Sequence, residues 1–301
     1  GYVVTEAGFG SDLGAEKFLD IKCPTGNLAP KAMVLVATIR ALRHHGGAKK
    51  EEYNTPDLVR VANGFANLEK HIENCRKFGL NPVVAINHFP ADSEAEVNFV
   101  IDKCASLGVK AVVSRGFSEG GAGTAMLAEA VVASIEEGKN AYRKLYDWNL
   151  SIEEKINIIA KEIYGAAEVV FSAEAKGQMK TFAKLGFDTF PVCMAKTQKS
   201  FSDDEKKVGR PEGFVINVRT FEVAAGAGFI IPVIGQMMRM PGLPEVPASA
   251  GMDIDNNGVI TGFEGGGDTT LTVDKGETDG RLTSWTSAVP MLKSGDIRPI
   301  V

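Results

Sequence analysis

The sequence predicts an α/β protein built from parallel-sheet layers, with a smaller C-terminal α+β part. Short apolar, partly β-branched runs recur along the chain, as expected for strands covered on both faces. Each run leads through a polar or glycine-rich loop into a segment with helix-capping residues. Beyond residue 213 the pattern changes: β-branched residues crowd on either side of Gly226 and Gly228 and read as two joined strands.

Composition bounds the function. A chain of 301 residues with 44% apolar and 24% charged residues can bury a real core, in one to three domains. A net charge of −5 and a pI near 5.6 argue against a broad nucleic-acid surface, though not against a locally bound anion. Cys23, Cys75, Cys104 and Cys193 lie far apart without CxxC pairing, so no zinc site, disulfide framework or other metal centre is expected, and a reducing compartment is the simpler reading. No signal peptide is visible, and no apolar run reaches the ~18 residues of a membrane span.

The first loop is Thr5-Glu6-Ala7-Gly8-Phe9-Gly10, with a helix expected after Gly14. Gly8, Gly10 and Gly14 are spaced one residue too widely for a dinucleotide fingerprint, so a simple turn and a ligand loop both stand. Residues 32–39 read as a strand. His44 and His45 follow; charged, they suit a phosphate or carboxylate, but neighbouring side chains diverge on a helix, which favours a solvated surface. Thr55-Pro56 reads as the capped start of a helix with an apolar stripe at Leu58, Val61, Leu68, Ile72 and Cys75, stopped by Gly79.

The run Val83–Ile86 is the central strand. Asn87 to Asp92 is the loop beyond it, and Ser93 to Glu96 has capping-box spacing for a helix over 93–107 with Gly108 as its stop. In open α/β sheets ligands sit at the carboxyl ends of strands, where Phe89 would stand with Pro90 restricting its backbone. A strand over 109–114 then leads into a glycine-rich loop carrying Phe117, and a long helix runs through Glu137. Phe89 and Phe117 either face one flat ligand together or both plug the core.

Further on, Ser151 and Glu154 cap a helix ending at Gly165; residues 167–171 and 190–195 read as strands around a helix over 172–184. Lys196 and Lys199 in the next loop are candidates for an anion, with an exposed polar loop as the alternative. Residues 237–247 read as an irregular apolar loop whose methionines fill core gaps. Asp253, Asp255, Asn257, Gly258 and Glu264 match a calcium-loop pattern, but prolines and glycines stand where its flanking helices belong. A hairpin between 252–255 and 259–263 explains them better. No Gly-x-x-x-x-Gly-Lys-Ser/Thr motif, nucleophile elbow or Ser/His/Asp constellation is visible.

Six blocks, TEAGFGSDLGAEKF (5–18), VLVATIRALRHHGG (34–47), VVAINHFPADSEAE (83–96), EIYGA (162–166), FPVCMAKTQKSFSDD (190–204) and MPGLPEVPASAGMDIDNNGVITGF (240–263), occur in the order found in formate–tetrahydrofolate ligases. The chain resembles that family over residues 1 to about 263. The resemblance implies P-loop NTPase-like α/β layers and an ATP-driven ligation, in which formate is activated as formyl phosphate and tetrahydrofolate N10 takes the formyl group. It implies a pterin held between Phe89 and Phe117, with a smaller ring at 117 than the family's tryptophan. Pro90 stands beside the first ring, and Val113 lines the folate pocket. Thr5, Glu6, Ala7, Gly8, Phe9 and Gly10 match the loop near the nucleotide and formyl phosphate.

Implied companions are formate, ATP with Mg²⁺, tetrahydrofolate, optionally a monovalent cation, and further copies of the chain, with no nucleic acid or membrane. The implied location is cytoplasmic, although a mitochondrial mature chain would read alike. The family's P-loop, catalytic lysine and formate-binding arginine lie in an N-terminal domain that this chain lacks. It is therefore expected to be a partial chain with little turnover alone, the alternative being a non-catalytic folate-binding or structural fragment. The expected division is 1–80 for the rest of the nucleotide domain, 81–150 for the folate domain, 151–263 for a C-terminal α/β domain, and 264–301 for a tail without family counterpart.

Overall fold

Val34–Ala37 (β1), Val83–Asn87 (β2) and Ala111–Ser114 (β3) form a parallel sheet in the order β1-β2-β3, with Val34 opposite Val83 and Val84 opposite Ala111. The computed structural model describes residues 1–235 and the backbone at 253–254 and 260–261. Parallel pairing needs crossovers, and helices supply them: Ile39–His45 (α2) and Leu58–Lys77 (α3) join β1 to β2, while Glu94–Ser106 (α4) joins β2 to β3. Leu35, Ile39, Val61, Leu68, Ile72, Val84, Ile86, Val97 and Val100 meet in one core between sheet and helices. The sheet draws strands from both sides of residue 80 and does not divide there.

Local signals place most boundaries. The Ser93/Glu96 capping box opens α4 as expected, and Gly79 and Gly108 end their helices at φ 75° and 67°. The start of α3 is a correction: its cap is Asp57 rather than Thr55, the Asp57 carboxylate accepting the Arg60 N–H at 3.0 Å. Pro56 lies outside the helix. The first helix is also corrected, since it begins at Ser11, before Gly14. It winds through two wide turns, Ser11–Ala15 and Phe18–Lys22, and ends as Cys23–Gly26 (α1) with Asn27 left-handed at φ 51°. The glycine-rich loop after β3 contains a helical turn, Gly116–Glu119 (α5), before Ala125–Glu136 (α6).

The second sheet has Glu168–Phe171 (β4) parallel to Val215–Ala224 (β5), and β5 antiparallel to Phe229–Ile234 (β6) through the expected turn at Gly226 and Gly228. Ile152–Ile158 (α7) continues helically to Tyr164, and Gly165 stops it at φ 82°. Ala173–Lys184 (α8) is capped by Ser172. The strand expected over 190–195 reduces to two isolated parallel bridges, Val192 to Ile230 and Ala195 to Val233. Pro191 and Pro232 both lack the N–H a continuous ladder needs. Ile156, Ile159, Ile163, Val192, Met194, Ile216, Val218 and Ile230 form the core of this half.

Asp253–Ile254 (β7) pairs antiparallel with Ile260–Thr261 (β8), as the hairpin reading expects. The side chains of the calcium-loop pattern, the loop at 237–247 and the tail at 264–301 lie outside the described residues. Among the described residues no helix is long and apolar enough to cross a membrane, and no group of three or more His, Cys, Asp or Glu side chains is placed to hold a metal ion. The four cysteines are unbridged.

Candidate functional site

β2 is buried from Val83 to Ile86, and the chain emerges from the core at Asn87. His88 prolongs the pairing by donating its N–H to the Ser114 carbonyl at 3.0 Å. The loop then turns tightly: the Phe89 N–H donates to Asp92 Oδ2 at 2.8 Å, and the Asp92 N–H donates to the Phe89 carbonyl at 2.9 Å. This leaves the Phe89 ring half-buried at the carboxyl edge, with Pro90 exposed at the tip. From β3, α5 carries Phe117 out beside it, 66% exposed. The ring centroids are 6.1 Å apart and the planes inclined at 39°.

Neither ring plugs the core, so that alternative is set aside. A flat ring between them needs two contacts of about 3.5 Å, hence about 7 Å between parallel faces, against the 6.1 Å between the two centroids. Val113 lies partly buried on β3, packed against the first core. Arg115 Nη1 approaches His88 Nδ1 at 3.1 Å, and Arg115 Nε lies 3.8 Å from Glu119 Oε1 at the same edge.

The Thr5–Gly10 loop is exposed as far as Phe9, whose φ is 63°. Its glycines serve close packing: a Cβ on Gly14 would stand 1.8 Å from the Gly8 carbonyl oxygen, and one on Gly10 would stand 2.7 Å from Asp12 Oδ1 and His71 Cε1. The loop thus lies on the helix it precedes. Gly14→Ala is expected to lift it, raising amide exchange over residues 5–10 at a stability cost of about 1–3 kcal/mol. Unchanged exchange there would show that the loop does not depend on this contact.

Beneath the loop lies a buried polar group of which sequence reasoning named only Lys196, as a candidate for an anion. Asp12 Oδ2 meets Lys196 Nζ at 2.9 Å, and Lys196 also donates to the carbonyls of Thr197, at 2.9 Å, and Ser200. Asn74 Nδ2 donates to Ser11 Oγ at 3.3 Å, and the Ser11 hydroxyl reaches His71 Nδ1 at 2.7 Å. Burial pushes the His71 pKa down although Asp12 pulls the other way. Burial also lowers the Lys196 pKa, opposed by Asp12. The Asp12 carboxyl stays below its ordinary range because Lys196 and His71 outweigh its own burial.

Lys196 is therefore a buried strut rather than part of an exposed loop, while Lys199 is exposed and paired with Glu205 at 2.8 Å. The histidine pair is corrected as well. His45 accepts the Gly209 N–H at 3.0 Å, and burial with neighbouring His44 lowers its pKa to about 4, so it holds a loop as a neutral acceptor. His44 pairs with the Tyr53 hydroxyl at 2.7 Å. A shallow cleft between Lys70, Lys77, Lys161 and Arg210 has most of its charge already matched, by Lys77 on Glu162 and by Arg210 on Glu73 at 2.8 and 2.9 Å.

The described site thus offers aromatic faces, a closely packed loop and buried struts. The family model described as formate–tetrahydrofolate ligase matches residues 1–264. It is a ligase family of one-carbon metabolism that uses ATP and tetrahydrofolate as substrates. With the match spanning most of the 301 residues, the chain belongs to the formate–tetrahydrofolate ligase family.

Proposed function

We propose that this chain supplies the tetrahydrofolate-binding side of an ATP-dependent formate–tetrahydrofolate ligase, with Phe89 and Phe117 as the two faces that receive the pterin. The observation that carries this reading is the placement of two solvent-reaching rings, 6.1 Å apart, at the carboxyl ends of adjacent parallel strands. Each ring adds stacking of ~0.5–1.5 kcal/mol beyond area burial. Pro90 restricts the loop backbone, and Val113 forms the floor.

Closing the rings on the pterin keeps water away and fixes the direction in which N10 meets the formyl donor. The Thr5–Gly10 loop is read as the neighbour of formyl phosphate, and the sheet as part of a P-loop NTPase-like layer. Mg²⁺ would accompany ATP, held chiefly by the phosphates and water. With no Gly-x-x-x-x-Gly-Lys-Ser/Thr motif in these 301 residues, they are read as turning over little by themselves, and in solution as an oligomer.

The test is a titration with tetrahydrofolate of the wild type, Phe89→Ala and Phe117→Ala, alongside thermal melts. A loss of ~1 kcal/mol or more in each variant, with unchanged Tm, supports the clamp. A folded wild type that binds nothing refutes it and favours a purely structural fragment.

A further inference from the structure

We infer that Arg43 and Asp92 are positioning residues for the folate site: a buried guanidinium anchors the loop after β2, and Asp92 transmits that anchorage to the backbone of Phe89. The inference rests on the reading of Phe89 as a pterin face. Arg43 lies in the last turn of α2 and is fully buried. Its Nε and Nη2 bind Glu96 Oε1 and Oε2 at 2.8 and 2.6 Å in a fork; Nη1 donates to the Tyr53 carbonyl at 2.7 Å and Nη2 to the Ala91 carbonyl at 3.0 Å.

Glu96 also accepts the Asp57 N–H at 2.8 Å, the Ser93 N–H at 3.0 Å and the Ser93 hydroxyl at 2.6 Å. Burial alone would raise the Glu96 pKa, but these donors, Arg43 first, hold it at about 2. One ion pair therefore ties together the end of α2, the loop at 53–57, the loop after β2 and the start of α4.

Asp92 divides its two oxygens between the anchor and the site. Oδ1 faces Arg43 Nη2 at 4.0 Å, and Oδ2 takes the Phe89 N–H at 2.8 Å. Its side chain is 1% exposed, as are those of Arg43 and Glu96. The Phe89 amide sits next to the Cα–Cβ bond that aims the ring, so fixing the amide fixes the aim. A buried ion pair is weak evidence for stability as such, whereas a geometric role fits donors spent on the Ala91 carbonyl. Phe89 is then the fixed face of the pair, and any opening comes from α5, whose Phe117 is exposed between Gly116 and Gly120.

The decisive variant is Asp92→Ala in the full chain, because it leaves the Arg43–Glu96 fork in place. Expected results are a Tm within a few degrees of wild type, at least tenfold faster exchange of the Phe89 amide, and about tenfold weaker tetrahydrofolate binding. Asp92→Asn, which keeps an oxygen acceptor, should recover most of the affinity. In a Phe89→Ala background Asp92→Ala should cost nothing further, since it acts through that ring. An additive loss, or wild-type affinity in Asp92→Ala while Phe89→Ala binds weakly, overturns the inference and leaves the folate reading standing. Unaffected binding in Phe89→Ala removes the folate reading itself; unchanged exchange at Phe89 removes the anchor whatever the ligand.

Discussion

Lys196→Met is expected to lower stability by about 3–5 kcal/mol, the cost of leaving a buried carboxylate without its cation. That is a large part of the ~5–15 kcal/mol that holds a protein together, and it corresponds to a fall in Tm of roughly 6–20 °C. The size follows from burial on both sides: the side chains of Lys196 and Asp12 are 0% and 6% exposed, so water cannot replace the lost partner. Lys196 also closes its own loop by binding the Thr197 and Ser200 carbonyls, and its ammonium stands 5.0 Å above the Tyr164 ring. Adding Asp12→Asn should restore part of the loss, because the double variant buries no unpaired charge. If Lys196→Met melts within about 2 °C of wild type, the pair carries no such energy.

Lys196 could be read as a candidate for an anion, but its burial against Asp12 was invisible in the sequence, for a physical reason. Capping boxes, stop glycines and strand runs act over a few residues, so Ser93 with Glu96, Ser151 with Glu154, and Gly79, Gly108 and Gly165 could be read in place. Phe89 was legible in the same way, as the aromatic just beyond a buried strand. Lys196 and Asp12 are 184 positions apart, and Arg43 and Glu96 are 53. Only tertiary packing decides that such charges are buried together. The helical turn around Phe117 was hidden because Gly116, Gly120 and Gly121 read as loop. The early start at Ser11 was hidden because Gly14 reads as a breaker, although it is there to let the Gly8 backbone pass.

The second large effect concerns Glu16 and Asp20, two fully buried carboxyls on that first helix. Asp20 is pushed up from the ordinary carboxylate range, by burial first and by the neighbouring Glu16 charge second. Burial likewise raises Glu16, against the pull of the Lys17 ammonium. Both Glu16 oxygens and Asp20 Oδ2 lack any donor, while Asp20 Oδ1 takes the Leu145 N–H at 2.6 Å. A carboxyl pair in contact without donors needs a shared proton. Around it stand Asp12 on the same helix, the neutral Tyr146 and Tyr164 phenols, Lys144, and Lys17, whose Nζ is 3.8 Å from Glu16 Oε2, beyond hydrogen-bond reach.

The folded chain therefore keeps a proton that the unfolded chain releases near pH 4, so this stabilisation is complete at acid pH and is lost as the pH rises through the folded titration range. The slope is up to about 1.4 kcal/mol per pH unit for each proton held. Other buried groups titrate with the opposite sign: His45 and His71 have lowered values, and burial brings Lys155 down to about 8, so the clean quantity is a difference. Glu16→Gln supplies an amide donor to Asp20 and cannot ionise. Its Tm should gain on wild type by about 3–5 °C per pH unit from about pH 5 to about pH 8. A difference that stays constant across that range would mean that the two carboxyls do not share a proton, and that their missing donors are met in some other way.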